Sequence, residues 1–142
     1  MKVRRRPGST VVDLSASRMT NLRFCWLLAG FGWLGLVVYL SLADLSLPQV
    51  DVQWSDKLNH LLAYGFLMGW FGQLYSRRKN RVLTAIGLIA LGVLMEVVQG
   101  RLPYRWFDVA DAVANAGGVV IAYFCLLLGA DAILSWLEQR FE

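Results

Sequence analysis

Four stretches of this chain constrain the fold more than anything else in it. Residues 24–42 run for 19 positions without a charge, which as a helix covers ~28 Å, close to the thickness of a bilayer's hydrocarbon core. Residues 58–75, 82–98 and 112–129 are similarly apolar, with His60 and Glu96 as their only side chains that carry charge near neutral pH. Inside hydrocarbon every backbone N–H and C=O must be satisfied within the segment, which selects helices. At 57% hydrophobic over 142 residues, a soluble domain has too little interior to hide this surface. The expectation is an all-α integral membrane domain over 24–129, a four-helix bundle, flanked by a basic tail (1–23) and an amphipathic C-terminal tail (130–142).

The first stretch has one competing reading. Ser41-Leu42-Ala43 resembles a weak signal-peptidase site, but the apolar run exceeds a usual signal core and three more follow, so an uncleaved anchor is expected. Gly30, Gly32 and Gly35, and again Gly65, Gly69 and Gly72, predict small-residue faces for close helix contact. Cys25 and Cys125 lie in apolar runs with no CxxC partner, which favours packing over redox or zinc chemistry. The tail 1–23 has no apolar period and is expected to be mostly disordered. Its six basic residues suit anionic lipid head groups, and nothing beside them supplies a nucleic-acid fold. Ser55-Asp56 is a predicted helix cap, as is Asp108 or Asp111. In the last segment Ile133, Leu137 and Phe141 share a helical stripe beside Trp136, which predicts either a short interfacial helix or the fourth span running out into water.

Charge distribution sets the orientation. Eleven of the fourteen basic residues lie in the two tails and the 76–81 connector. The positive-inside rule then places both termini in the cytoplasm and turns the loops 43–57 and 99–111 outward.

The outward loops and the adjoining helix ends hold an unusual polar set: Asp56, Lys57, His60, Tyr64, Glu96, Gln99, Arg101, Arg105, Asp108, Asp111 and Asn115. Asp56, His60 and Tyr64 follow at i, i+4, i+8, on one helix face. Each residue alone has a structural explanation. Glu96 can pair with a nearby cation, Asn115 can bond a neighbouring backbone, the aspartates can cap helices, and an arginine at the interface can hold a lipid phosphate. Together they supply an acid/base pair (His60, Glu96), anion clamps (Arg101, Arg105, Lys57), an orienter for His60 (Asp56) and a polar floor (Tyr64, Gln99, Asn115). His60, Glu96 and Asp111 could also hold a divalent metal, although their spacing matches no metal motif, and no cofactor is assigned. HExxH, GxSxG, P-loop and GxGxxG motifs are absent.

Asp56-Lys57-Leu58-Asn59-His60-Leu61-Leu62-Ala63-Tyr64, Glu96-x-x-Gln99, Arg105, Asp108, Asp111 and Asn115-x-x-Gly118 together resemble the VanZ-like family of small bacterial membrane proteins. The likeness runs from about Trp54 to Gly118, and Arg101 is a second option for the family arginine. The family is named for a protein linked to teicoplanin resistance. The resemblance implies a multi-pass protein of the bacterial cytoplasmic membrane with a role at the cell envelope, acting on lipid-linked material. Family members also carry the label phosphotransbutyrylase, but this chain shows no acyl-CoA or phosphate loop. Two readings stand at this point. One is an outward-facing site for an anionic lipid-linked envelope molecule, with or without catalysis. The other is a non-catalytic membrane factor whose polar cluster holds its helices together.

Overall fold

A computed structural model of the chain describes residues 9–44, 55–130 and 132–140, with side chains from residue 21 onward. The described residues form five helices and no strand: α1 (Ser9–Leu42), α2 (Ser55–Gly72), α3 (Arg78–Gln99), α4 (Val109–Leu127) and α5 (Ala132–Arg140). Among the described residues three segments are long and apolar enough to cross a membrane: Asn21–Leu42 of α1, and all of α3 and α4. α2, expected to cross over 58–75, is not among them. It stops at Gly72 and carries Asp56 and Lys57 in its first turns, yet it sits at the centre of the packing.

The core lies where α2, α3 and α4 meet. Tyr64, Leu67, Met68 and Phe71 of α2 pack with Leu88 of α3 and with Val119 and Leu126 of α4. α2 and α4 approach most closely, because glycines face each other. A Cβ at Gly65 would stand 3.3 Å from the Gly118 carbonyl oxygen, and one at Gly118 would strike the Leu61 carbonyl. Gly72 is closed by Leu126, whereas Gly69 meets nothing. Bare backbone on both sides of the crossing is what lets the two helices approach this far.

α1 lies outside this unit. It is held by a stack of Trp26 on Trp70, ring centroids 4.0 Å apart, in which each indole N–H donates to the other residue's backbone carbonyl. Of the small-residue face predicted on α1, only Gly30 is used, beneath Trp70 and Phe71; Gly32 and Gly35 have no neighbour. The expected disorder of 1–23 is corrected from Ser9 onward, where α1 has already begun. No glycine or proline falls between Ser9 and Phe24, so nothing in that stretch stops the helix. Residues 1–8 lie outside the described residues.

α5 packs through Leu134 and Glu138 and leaves Ile133 of the expected stripe, with Trp136 beside it, exposed; Phe141 is outside the described residues. The reason is Arg23 of α1, which grips Glu138 through two hydrogen bonds of 2.6 and 3.3 Å and turns that face inward. Between α1, α2, α4 and α5 runs an apolar groove of about 610 Å³ lined by Trp26, Phe66, Trp70, Ile121 and Ile133 among others; none of the polar cluster residues borders it.

Candidate functional site

The helix directions decide which residues meet. α2 and α4 run the same way and α3 runs against them, so the first turns of α2 and α4 meet the last turns of α3. Asp108 caps α4 by accepting a 2.8 Å hydrogen bond from the Ala110 N–H, and Asp111 occupies the first turn. Asp56 does the same on α2. Carboxylates at helix N-termini are stabilised by the helix dipole, which makes acid locally favourable at the end where Glu96 arrives from α3.

His60 is the hub, and its side chain is 13% exposed. Its Nδ1 lies 3.1 Å from Asn115 Oδ1 and 3.8 Å from Glu96 Oε1. Its Nε2 lies 3.9 Å from Asp56 Oδ1 and 3.9 Å from Asp111 Oδ2. Beside the ring Lys57 Nζ donates to Asp108 Oδ2 at 2.7 Å and to Asp111 Oδ1 at 3.0 Å. Hydrogen bonds to Asp108 and then Asp111 push the Lys57 ammonium well above its ordinary pKa. The same Lys57 contact, with the Ala110 N–H, holds the Asp108 carboxyl below the usual carboxylate range.

Three buried polar atoms among the described residues have no hydrogen-bond partner: Tyr64 Oη, Glu96 Oε1 and Asn115 Nδ2. All belong to this cluster. Gly92 of α3 makes room for it, since a Cβ there would lie 3.0 Å from Asn115 Cβ and 3.2 Å from Tyr64 Cε1. Buried polar groups are ordinarily satisfied, and leaving one unpaired costs ~1–3 kcal/mol. Three together mark a place built for something other than stability.

The structure brings Asp56, Lys57, His60, Glu96, Asp108, Asp111 and Asn115 together, with Tyr64 one turn deeper on α2. Other expected roles change. Asp56 does not orient His60 by a hydrogen bond, because 3.9 Å is too long for one; Asn115 is in hydrogen-bond contact instead. Lys57 is neutralised by two aspartates and is not an open anion clamp. Gln99 is buried but donates to the Ser41 carbonyl of α1 at 2.8 Å, so its N–H is turned away from the cluster. Arg101 is exposed and Arg105 half-buried, and neither makes an ion pair or side-chain hydrogen bond among the described residues.

One residue escaped sequence reading altogether. Arg81, counted there only as a connector charge, is 6% exposed. It donates to the carbonyls of Gly72, Tyr75 and Leu126, at the C-terminal ends of α2 and α4. The signal available was positional: a cation at the start of an antiparallel α3 must face the carbonyl ends of its neighbours.

Compared with protein-family models, with curated proteins and with solved structures, the chain matches none.

Proposed function

We propose that this chain is a VanZ-like protein of the bacterial cytoplasmic membrane. It crosses four times as a four-helix bundle, α2 included, with both termini in the cytoplasm. Its extracytoplasmic end binds the anionic head group of a lipid-linked envelope molecule. One observation carries the reading. Beside a buried imidazole–carboxylate cluster, the 100–107 loop offers two guanidiniums, Arg101 and Arg105, with no acid partner among the described residues, while the neighbouring Lys57 is already neutralised. Unpaired guanidiniums recognise phosphate and carboxylate oxygens through bidentate hydrogen bonds. The exposed Trp106 and Phe107 on the same loop suit the membrane interface, where such a head group resides. His60, held by Asn115 with Glu96 behind it, is the group placed to give or take a proton there.

The test uses the purified full chain in detergent, with binding of a polyprenyl phosphate compared with the uncharged polyprenol by native mass spectrometry. The phosphate is expected to bind at least tenfold tighter, and Arg101→Ala with Arg105→Ala to remove the difference. Equal binding of both lipids would overturn the reading. A tag in the 43–57 loop tests topology and is expected to report an external location.

A second reading has its own support. Lys57 ties α2 to α4, and Gln99 and Tyr104 tie the α3 end to the Ser41 and Leu42 carbonyls of α1, so the cluster also works as a helix clamp. Glu96→Gln and His60→Gln separate the two. Normal abundance with lost lipid binding or altered teicoplanin susceptibility supports the site; lost abundance supports the clamp.

A further inference from the structure

Around His60, acceptors face acceptors. The Asn115 carbonyl oxygen, 3.1 Å from Nδ1, accepts a hydrogen from that nitrogen and leaves Nε2 facing the other way. What Nε2 meets there is two carboxylate oxygens, Asp56 Oδ1 and Asp111 Oδ2, at 3.9 Å each. One ligand atom from each of the three residues falls within 4.8 Å of the others. No described residue places an N–H or O–H donor between them. Two carboxylate oxygens and a ring nitrogen converging with no outside donor favour a cation in the gap.

The surroundings fit a metal ion. Bonds of ~2.0–2.2 Å from zinc to imidazole nitrogen and carboxylate oxygen set ligand atoms roughly 3–4 Å apart, so a small inward movement closes the triangle. Asp56, with a 59% exposed side chain, is free to make it. Asp111 gives Oδ1 to Lys57 and keeps Oδ2 for the gap. Four carboxyl groups (Asp56, Glu96, Asp108, Asp111) share this cluster with one ammonium, Lys57, which pairs with two of them, Asp108 and Asp111. Behind the ring, Glu96 is 1% exposed and its unpartnered Oε1 points at Nδ1. This is the outer layer that metal-bound histidines use: a carboxylate or carbonyl holding the far ring nitrogen.

We propose that Asp56, His60 and Asp111 form a binding site for a divalent transition-metal ion of the zinc or manganese class. Three ligands leave coordination positions open, where water or an anion would complete the shell. The site shares its location with the lipid-binding reading but does not rest on it, since the metal is held by α2 and α4 and the head group by the loop arginines.

The experiment is a calorimetric titration of chelator-stripped full chain in detergent with Zn²⁺ alone, followed by metal analysis of the protein after desalting. One ion per chain is expected at micromolar affinity or tighter, weakened at least tenfold by Asp56→Asn and by Asp111→Asn, and lost in His60→Gln. Asp56 is exposed, so its variant keeps the fold, which the helical circular dichroism signal verifies. Arg101→Ala with Arg105→Ala is expected to leave Zn²⁺ affinity unchanged while removing polyprenyl phosphate binding, which separates failure of one idea from failure of the other. Absence of stoichiometric Zn²⁺ and Mn²⁺, or binding that Asp56→Asn and His60→Gln leave untouched, overturns the proposal.

Discussion

At one end of the α2–α3–α4 unit a buried arginine is surrounded by carbonyl oxygens; at the other a buried glutamate lies beside an imidazole with one oxygen unpartnered. Arg81 and Glu96 are on the same helix, 15 residues apart, and both are nearly inaccessible. Their surroundings differ in kind. Arg81 donates to three backbone acceptors that the ends of α2 and α4 leave without intrahelical partners. Glu96 shares its surroundings with two other orphaned atoms, on Tyr64 and Asn115. Burial of charge therefore does not identify a site in this molecule. Incomplete satisfaction of the buried groups does.

The contrast predicts opposite responses to mutation. Arg81→Ala strips the Tyr75 and Leu126 carbonyls of their donor, while the Gly72 carbonyl keeps the Tyr75 N–H, and is expected to cost about 2 kcal/mol or more, seen as a large drop in the unfolding midpoint in detergent. Arg81→Lys is expected to fall between, because a single ammonium cannot reach three acceptors in different directions as a guanidinium does. A small effect of Arg81→Ala would mean that water or lipid already satisfies those carbonyls, and the two ends would then be alike. Glu96→Gln, which replaces a carboxyl with one unpartnered oxygen by a carboxamide of the same shape, is expected to change stability by less than about 1 kcal/mol. If it destabilises the protein as much as Arg81→Ala does, the His60 end is a structural clamp and the helix-clamp reading wins.

Much of this was legible in the sequence, for reasons that show where legibility ends. Hydrocarbon permits few backbone solutions, so the apolar runs located α1, α3 and α4 to within a few residues at most ends, and Pro103 left the turn before α4 non-helical. The polar residues were legible as a group, since charge is rare at such positions. Their roles were not. Whether Lys57 binds a ligand or two aspartates depends on the rotation of α2 against α4. That rotation is set by the Gly65–Gly118 crossing, a contact between residues 53 positions apart. Spacing along one helix suggested Asp56 as the partner of His60; packing across helices supplied Asn115. The inward face of α5 likewise depended on Arg23, 115 positions away from Glu138.

Gly92 tests the shape of the His60 end at smaller cost. A methyl group there enters the space between Tyr64 and Asn115, and overpacking of this kind typically costs about 1–3 kcal/mol. Gly92→Ala is expected to fall within that range, because the shift of Asn115 that relieves the contact also strains its hydrogen bond with His60 Nδ1. It should displace Asn115 from the His60 ring and weaken Zn²⁺ binding several-fold in the same titration. Unchanged affinity would show that Asn115 does not hold the ring.

The smallest effect belongs to the rim. Asp108 is held below the ordinary carboxylate range by Lys57 and by the Ala110 N–H, and Lys57 is held above its ordinary value by Asp108 and Asp111. For Asp108 the folded pKa lies under the unfolded one, so its contribution is fully present above ~pH 4 and is lost as pH falls through the depressed folded value. For Lys57 the sign is reversed: its contribution is complete below ~pH 10 and is lost as pH rises through the elevated folded value. Between those limits the Lys57–Asp108 pair adds no slope to stability. An unfolding midpoint measured from pH 3 to pH 9 is therefore expected to be insensitive to this group above about pH 5 and to fall on the acid side. Asp108→Asn should reduce that acid-side fall without adding slope near neutrality. A variant that instead introduces a slope near neutral pH would place Lys57 in the titration of the cluster itself, and the rim and the His60 hub would have to be treated as one coupled unit.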